Sequence, residues 1–318
     1  MKSIMQRRTL LAASFLPFAA QAQTQTPSGL RMIVPFPPGG AADFLGRVVG
    51  ERMGRAMGQP VTIENRSGAG GNIGTAAAAQ ATADGSAIML NGVPMAVNRF
   101  LYASLPFDPD RDFSPLGLIA VVPNIMVVPT DLPVSDVAEF IALARIRPMN
   151  YASIGNGTSL HLAGAQFSLA TGLNLTHVPY RETGAANNDV MAGRVEVMFQ
   201  TISAAAGLVR GGRMKALAVT SAERARAFPD VPTLKEAGVD LVSVGWFGLF
   251  APRGVPADHL AKLGAETVAA VQDPAVAQRI VESGSIPRAL TGAEFGAFIA
   301  EEVRRFAGLV RVAGIRAD

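Results

Sequence analysis

Hydrophobic positions along the chain follow two alternating patterns. Short, nearly continuous apolar runs predict strands, and longer segments with apolar residues three and four apart predict helices. The predicted strands are Met32–Phe36, Val61–Glu64, Ala87–Leu90, Leu116–Val122, Ile125–Val128, Tyr151–Ser153, Thr176–Val178, Val195–Phe199, Leu217–Thr220 and Val242–Phe250. The predicted helices are Ala41–Met57, Ile73–Ala81, Ser135–Arg145, Ser159–Thr171, Ala186–Ala192, Ala204–Arg210, Pro256–Val271, Pro274–Ser283 and Gly292–Val312. This alternation predicts an α/β fold with mostly parallel sheets flanked by helices.

Two positions in this pattern suggest that the chain passes between domains. In VVPNIMVVP two apolar runs meet at Pro123-Asn124, and VSVGWFGLFAP, residues 242–252, gives a second crossing. Two crossings predict one domain formed by residues 23–124 and 246–318, with a second domain, residues 125–245, inserted between its halves. A chain of 318 residues is long enough for two domains.

The first 22 residues have the pattern of a secretory signal. Lys2, Arg7 and Arg8 give a basic start, Leu10–Phe18 is apolar, and Ala20-Gln21-Ala22 is a small-residue cleavage site. The apolar stretch is too short to span a bilayer. We therefore expect a periplasmic protein that is cleaved near Ala22. The arginine pair leaves open whether export follows the general or the twin-arginine route.

Charge and cysteine content exclude several classes of protein. The chain has 28 basic and 25 acidic residues, and the signal holds three of the basic ones, so the mature protein is formally neutral. A neutral protein lacks the basic field that nucleic acid attracts, and we expect no nucleic-acid partner. Because there is no cysteine, disulfides, a thiolate nucleophile and a lipid-anchored cysteine are excluded.

Three glycine-rich turns each follow a predicted strand and precede a predicted helix. They are Pro37–Gly40, Asn65–Gly74 and Ser153–Leu162, and Thr158 or Ser159 would cap the third helix. N–H groups in the first turn of a helix have no partner within the helix and therefore attract anions. Three such turns with hydroxyls and amides at their tips predict an anion-binding site.

Nucleotide binding and catalysis find less support in the sequence. Gly68, Gly70 and Gly74 form a variant of the pyrophosphate loop, but the next strand ends at Asn91-Gly92 without an acidic ribose ligand. The sequence has no Walker motif, nucleophile elbow or paired-histidine metal motif. His161, between apolar neighbours, is more typical of a structural or site-lining histidine than of a base. We therefore predict no catalytic residue, no metal and no cofactor.

Nine long segments occur in order along the chain after the signal. They are IVPFPPGGAAD, GQPVTIENRSGAGGNIG, ADGSAIML, SIGNGTSLHLAG, HVPYRETGAAN, GRVEVMFQ, GGRMKALAVTS, FPDVPTLKEAG and WFGLFAPRGVP. Together they resemble the periplasmic substrate-binding proteins of tripartite tricarboxylate transporters, the Bug family. The resemblance implies a two-domain, type II-like periplasmic binding protein whose domains close over a small carboxylate. It also implies that backbone amides and water hold the carboxylate, and that integral membrane transporter subunits are partners of a monomer.

The resemblance also implies two facing walls of a cleft between the domains. The first wall runs from Phe36 to Asp43, including Pro38, Gly39, Gly40 and Ala42, with Ser67, Gly68 and Gly70 nearby. The facing wall contains Gly155, Gly157, Thr158, Ser159 and His161, with Tyr180 and Arg181 at its edge and Gln200 at the end of a strand. Family members commonly have a glycine where Glu182 stands, a proline–alanine pair where Ala185-Ala186 stands, and an aspartate where Gln200 stands. Gln200 cannot pair by charge with an ammonium group on a ligand.

The sequence thus indicates a non-catalytic receptor that delivers a small organic carboxylate to a membrane transporter. The same receptor used as a ligand sensor for a membrane signalling protein is an alternative that the sequence does not separate. A small periplasmic enzyme is the alternative from another class. The sequence leaves the identity of the ligand open.

Overall fold

The computed structural model describes residues 29–316, and the predicted signal peptide lies outside them. The strands are β1 Leu30–Val34, β2 Val61–Asn65, β3 Ala87–Gly92, β4 Phe113–Pro129, β5 Met149–Ser153, β6 Leu175–Pro179, β7 Val197–Thr201, β8 Met214–Val219, β9 Val244–Pro252 and β10 Ile286–Thr291. The helices are α1 Ala41–Met57, α2 Asn72–Ala79, α3 Pro94–Leu101, α4 Val137–Ile146, α5 Ser159–Thr171, α6 Thr183–Met191, α7 Ile202–Arg210, α8 Ala257–Gln272, α9 Pro274–Glu282 and α10 Gly292–Ala313. A short 3-10 helix, Ala69–Gly71, precedes α2.

The strands form two sheets that share β4. In the first sheet β1 pairs with β2 and β3, β9 pairs with β3 and β4, and β10 pairs with β4. In the second sheet β5 pairs with β6 and β7, and β4 pairs with β7 and β8. Strand β4 leaves the first sheet after Pro123, which pairs with Val244, and enters the second at Asn124, which pairs with Thr201. We call the halves built on the two sheets the first domain and the inserted domain.

The sheets are mixed, which corrects the prediction that they are mostly parallel. Between the strands of residues 29–316, four pairings are parallel and five are antiparallel. The antiparallel pairings all involve β4 or β9. These two strands carry the chain toward and away from the inserted domain, so they run in opposite directions side by side. The two runs predicted as separate strands, Leu116–Val122 and Ile125–Val128, are both parts of β4.

Helices cover both faces of each sheet. Along β1, Met32 and Val34 pack in a core cluster with α1, α8 and α9, whereas Ile33 packs on the other face with α3 and α10. This alternation follows from the pleat of a strand, whose successive side chains point to opposite faces. In the inserted domain α4 and α5 cover one face, and α6 and α7 cover the other. Burial on both faces explains why the strands read as continuous apolar runs.

Within residues 29–316 no helix combines the length and the apolar composition that a bilayer crossing requires.

Candidate functional site

A narrow cavity lies between the two domains. The first domain lines it with Phe36, Pro37, Gly40, Ala41, Ala42, Val93, Pro94, Trp246 and Phe247. The inserted domain lines it with Ile154, Thr158, Ser159, Leu160, Thr183, Gln200 and Thr201. The wall of the cavity is therefore formed by both domains, each of which contributes one side of it.

The wall of the cavity carries no charged side chain among the described residues. Its apolar part includes Phe36 and Phe247, whose rings meet edge to face with centroids 5.4 Å apart. Its polar side chains all come from the inserted domain. A charged ligand would thus have to be stabilised by backbone groups and hydroxyls rather than by an opposite side-chain charge.

Five helices of residues 29–316 begin at the cavity: α1 and α3 in the first domain, and α5, α6 and α7 in the inserted domain. Their first turns present N–H groups that carry partial positive charge. Within the described chain no side chain caps α1, α6 or α7. Helix α5 is capped by Thr158. Of the helices that begin elsewhere, α4, α9 and α10 are capped by Asp136, Asp273 and Thr291, whereas α2 and α8 have no side-chain cap among the described residues. The uncapped ends leave N–H donors available to an anion.

Asp43, in the first turn of α1, is committed to the turn before the helix. Its carboxylate accepts a hydrogen bond from Gly39 N at 3.1 Å and two from Arg47, at 3.1 and 2.9 Å. Burial would raise the pKa of Asp43, but the hydrogen bonds from Arg47 and Gly39 outweigh it and lower that pKa. Gly39 has a φ of +79°, where a glycine is strongly favoured. Asp43 thus shapes the turn, and its pairing with Arg47 offsets its repulsion of an anion at the helix end.

His161 stabilises the third glycine turn and does not line the cavity. Thr158 Oγ1 donates to Gly155 O at 2.8 Å and accepts from His161 N at 3.4 Å. The ring Nδ1 of His161 accepts from Gly157 N at 3.1 Å. Burial, with a smaller contribution from His177 stacked 4.1 Å away, lowers the pKa of His161 to about 3. The neutral ring therefore remains an acceptor that fixes the turn.

Gln200 lines the cavity, yet its amide is already bonded within the inserted domain. Its Nε2 donates to Asn187 Oδ1 at 2.9 Å, and its Oε1 accepts from Thr201 N at 2.8 Å. The side chain is therefore held in place as a neutral surface of the wall.

Glycines beside the cavity form a direct contact between the domains. A Cβ on Gly155 would lie 3.2 Å from Gly70 N, and one on Gly70 would overlap the carbonyl of Asn156. Asn98 donates through Nδ2 to Gly70 O at 3.2 Å, and its Oδ1 lies where a Cβ on Gly157 would be. The two turns can approach this closely only because side chains are absent. The structure is therefore closed at this edge of the cleft.

The structure brings some of the predicted site residues together and separates others. Those that line the cavity are Phe36, Pro37, Gly40, Ala41, Ala42, Thr158, Ser159 and Gln200. Those at the contact between domains are Gly70, Gly155 and Gly157. The residues outside the cavity wall are Pro38, Gly39, Asp43, Ser67, Gly68, His161, Tyr180 and Arg181. Of these, Arg181 is exposed, and Tyr180 donates its hydroxyl to Asp189 at 2.7 Å.

Sequence reasoning missed much of the wall. The residues not predicted there are Val93, Pro94, Ile154, Leu160, Thr183, Thr201, Trp246 and Phe247. Two of them carried a local signal. Pro94 is the first residue of α3, a position that favours proline, and Thr201 is the N-cap of α7 at the end of a strand.

Residues 45–315 match the family model described as the tripartite tricarboxylate transporter family receptor. The chain belongs to this family. It is 31% identical to the periplasmic binding protein BugD, with a TM-score of 0.86 over 91% of this chain and 98% of that one. It is 32% identical to R. palustris Rpa4515 with adipate, with a TM-score of 0.87 and the same coverage. It is 30% identical to MatC (Rpa3494) from Rhodopseudomonas palustris with bound malate, with a TM-score of 0.81 over 89% and 98%.

These comparisons confirm the predicted family and the fold of a two-domain periplasmic binding protein. The family is one of binding receptors. Within residues 29–316 no group of three or more histidine or acidic side chains is arranged to hold a metal ion.

Proposed function

We propose that this chain is a periplasmic receptor that captures a small organic carboxylate between its domains and delivers it to a tripartite membrane transporter. One observation carries the proposal: five helix N-termini meet at a cavity whose described wall has no charged side chain. Helix N-termini favour negative charge through their free N–H groups and the helix dipole.

The uncapped start of α1 is the best-defined carboxylate-binding element. Ala41 and Ala42 line the cavity, and their backbone N–H groups belong to the first helical turn, where no intrahelical acceptor exists. A helix end stabilises a nearby negative charge by about 0.3–1 kcal/mol, and by up to about 2 kcal/mol in partly buried geometries. Several ends acting together offset part of the cost of removing a carboxylate from water.

The same wall disfavours cationic ligands. No described side chain of the wall is acidic, and Gln200 is engaged with Asn187 and Thr201. A buried ammonium group without a partner is strongly unfavourable. The apolar surface around Phe36 and Phe247 suits the carbon skeleton of an organic acid.

Relatives support the ligand class and the partner. Two related structures hold dicarboxylates, adipate and malate. The family description names a receptor of a tripartite transporter, and the signal-like N-terminus agrees with export to the compartment where such receptors act. Delivery to a transporter is therefore the function we propose over a purely sensory role.

A thermal-shift and calorimetric screen tests the binding step. The exported protein is titrated with adipate, malate, succinate and benzoate, and with adipamide and hexane-1,6-diamine as neutral and cationic controls. A ligand at 100 times its dissociation constant should add about 2.7 kcal/mol to the free energy of unfolding. We expect at least one carboxylate, and neither control, to stabilise the protein and to be recovered unchanged.

The proposal fails if no carboxylate stabilises the protein, or if adipamide stabilises it as much as the best of the four carboxylates. Turnover of the bound acid would instead favour an enzyme. Loss of uptake of the same acid on deletion of the gene tests the transport step separately.

A further inference from the structure

One hydroxyl in the cavity wall has no hydrogen-bond partner. Thr183 is the first residue of α6 and is 7% exposed, and its Oγ1 is buried without a partner among the described residues. Buried side-chain hydroxyls in folded proteins almost always have a partner, because leaving one unpaired is unfavourable. The hydroxyl of Thr183 therefore marks a place where a ligand atom completes the site.

The position of Thr183 distinguishes it from other unpaired buried groups. The remaining buried side-chain atoms without a partner in the described chain belong to Asn98, Arg99, Asn124, Ser168 and Ser203, none of which lines the cavity. Two other polar side chains of the wall, those of Thr158 and Gln200, are already hydrogen-bonded within the inserted domain. The hydroxyl of Thr158 caps α5, and the amide of Gln200 is bonded at both ends.

Thr183 faces the start of α1 across the cleft. A Cβ placed on Gly40, the N-cap of α1, would lie 3.9 Å from Thr183 Oγ1. Helix α6 also begins without a side-chain cap, since Glu182 makes no capping hydrogen bond and is exposed. Free donors from both domains, the first turn of α1 and the hydroxyl and first turn of α6, thus converge on one place.

We propose that Thr183 binds the ligand directly, donating its hydroxyl hydrogen to the same carboxylate group that the first turn of α1 holds. This rests on the proposed carboxylate-binding function. A single carboxylate then bridges the two domains, and the contribution of Thr183 exists only when the cleft is closed. Binding and closure are coupled through this one hydrogen bond, because opening the cleft separates Thr183 from α1.

Three variants test the proposal by calorimetric titration. The probe is whichever of adipate, malate, succinate and benzoate stabilises the unmodified protein most. Thr183→Val keeps the side-chain shape and removes the hydroxyl, and Thr183→Ser keeps the hydroxyl. Ser168→Ala removes a buried, unpartnered hydroxyl in α5 that lies outside the cavity wall, so it is the matched control.

We expect Thr183→Val to raise the dissociation constant by about 10- to 100-fold, as loss of a hydrogen bond to a charged group does. Thr183→Ser should bind within about threefold of the unmodified protein, and Ser168→Ala should bind with unchanged affinity. Without ligand, Thr183→Val should unfold at the same temperature or higher, because an unpaired buried hydroxyl has been replaced by a methyl group.

Unchanged affinity in Thr183→Val overturns the proposal while leaving the carboxylate function intact. Equal losses in Thr183→Val and Thr183→Ser also overturn it, because the effect would then come from packing. If no carboxylate binds the unmodified protein, the proposed function and this inference fail together.

Discussion

Replacing Gly70 with alanine should disfavour closure of the two domains. A Cβ on Gly70 would overlap the carbonyl oxygen of Asn156 and would lie 2.9 Å from the hydroxyl oxygen of Tyr102, closer than nonbonded atoms normally approach. The obstacle at Asn156 is backbone, so no side-chain rotation can relieve it. Overpacking of this kind costs about 1–3 kcal/mol. Because the clash exists only in the closed form, it should raise the dissociation constant by about 5- to 150-fold.

The conformational cost of the substitution can be separated from the clash. Gly70 has a φ of +60°, where alanine is less stable by about 1–2 kcal/mol. Gly58 has a φ of +66°, and a Cβ there would meet nothing within 4 Å. Gly58→Ala therefore carries the same backbone cost without the clash and is the control.

Urea unfolding, calorimetry and small-angle scattering provide the assay for this pair. Both variants should lose similar stability, but only Gly70→Ala should lose affinity and need about 5- to 150-fold more ligand to reach the smaller radius of gyration of the closed form. If the two variants bind the carboxylate equally well, the contact at Gly70 does not limit closure and the reasoning is refuted.

Three further outcomes are expected. The Gly40→Val variant should fold but lose nearly all ligand binding in calorimetry. Arg181→Ala removes an exposed charge and should weaken binding by only about 1 kcal/mol. A larger loss of binding in Arg181→Ala than in Gly40→Val would indicate that a charged side chain holds the ligand. Trp246 lines the cavity, so saturating ligand should change its fluorescence emission, and an unchanged spectrum would contradict this placement. Burial lowers the pKa of His161 to about 3 and of His177 to about 4, so the unfolded chain binds protons below pH 6.5 that the folded protein does not. Stability in urea unfolding should therefore fall between pH 6.5 and 4, by at most about 1.4 kcal/mol per pH unit for each histidine, and a flat profile would contradict the burial argument.

The elements with regular apolar patterns could be predicted from the sequence, and α1 and α5 have the predicted bounds. Helix α3 was missed because six of its eight residues are buried, so it lacks the polar face that makes a helix recognisable. Strand β10 was missed because it pairs with β4 alone, is largely exposed and contains Pro287. At Pro123-Asn124 the sequence suggested a crossing between domains and two separate strands. The chain changes sheets at this point, but it does so within one continuous strand, β4.

The candidate site was harder to predict because its wall comes from two domains. Glycine turns are local signals, and they led to Gly40 and Ser159, which line the cavity. The same signals led to Gly70 and Gly157, whose missing side chains serve the contact between domains. Thr183 belongs to no motif, and only packing reveals that its hydroxyl has no partner.

The way β4 and β9 lie together makes the inserted domain an exchangeable cassette. Thr220 N donates to Asn124 O at 2.9 Å, and Ser243 N donates to Thr220 O at 2.9 Å, so both ends of the insertion lie side by side. Pro123 and Val244 are already paired in the first sheet, and a short turn between them would convert β4 and β9 into a hairpin. Such a junction lets one half of the binding wall be replaced while the other half, with α1 and its uncapped amides, remains. New ligand specificity could then arise by substitution of a single contiguous segment, without redesign of the anion-binding half.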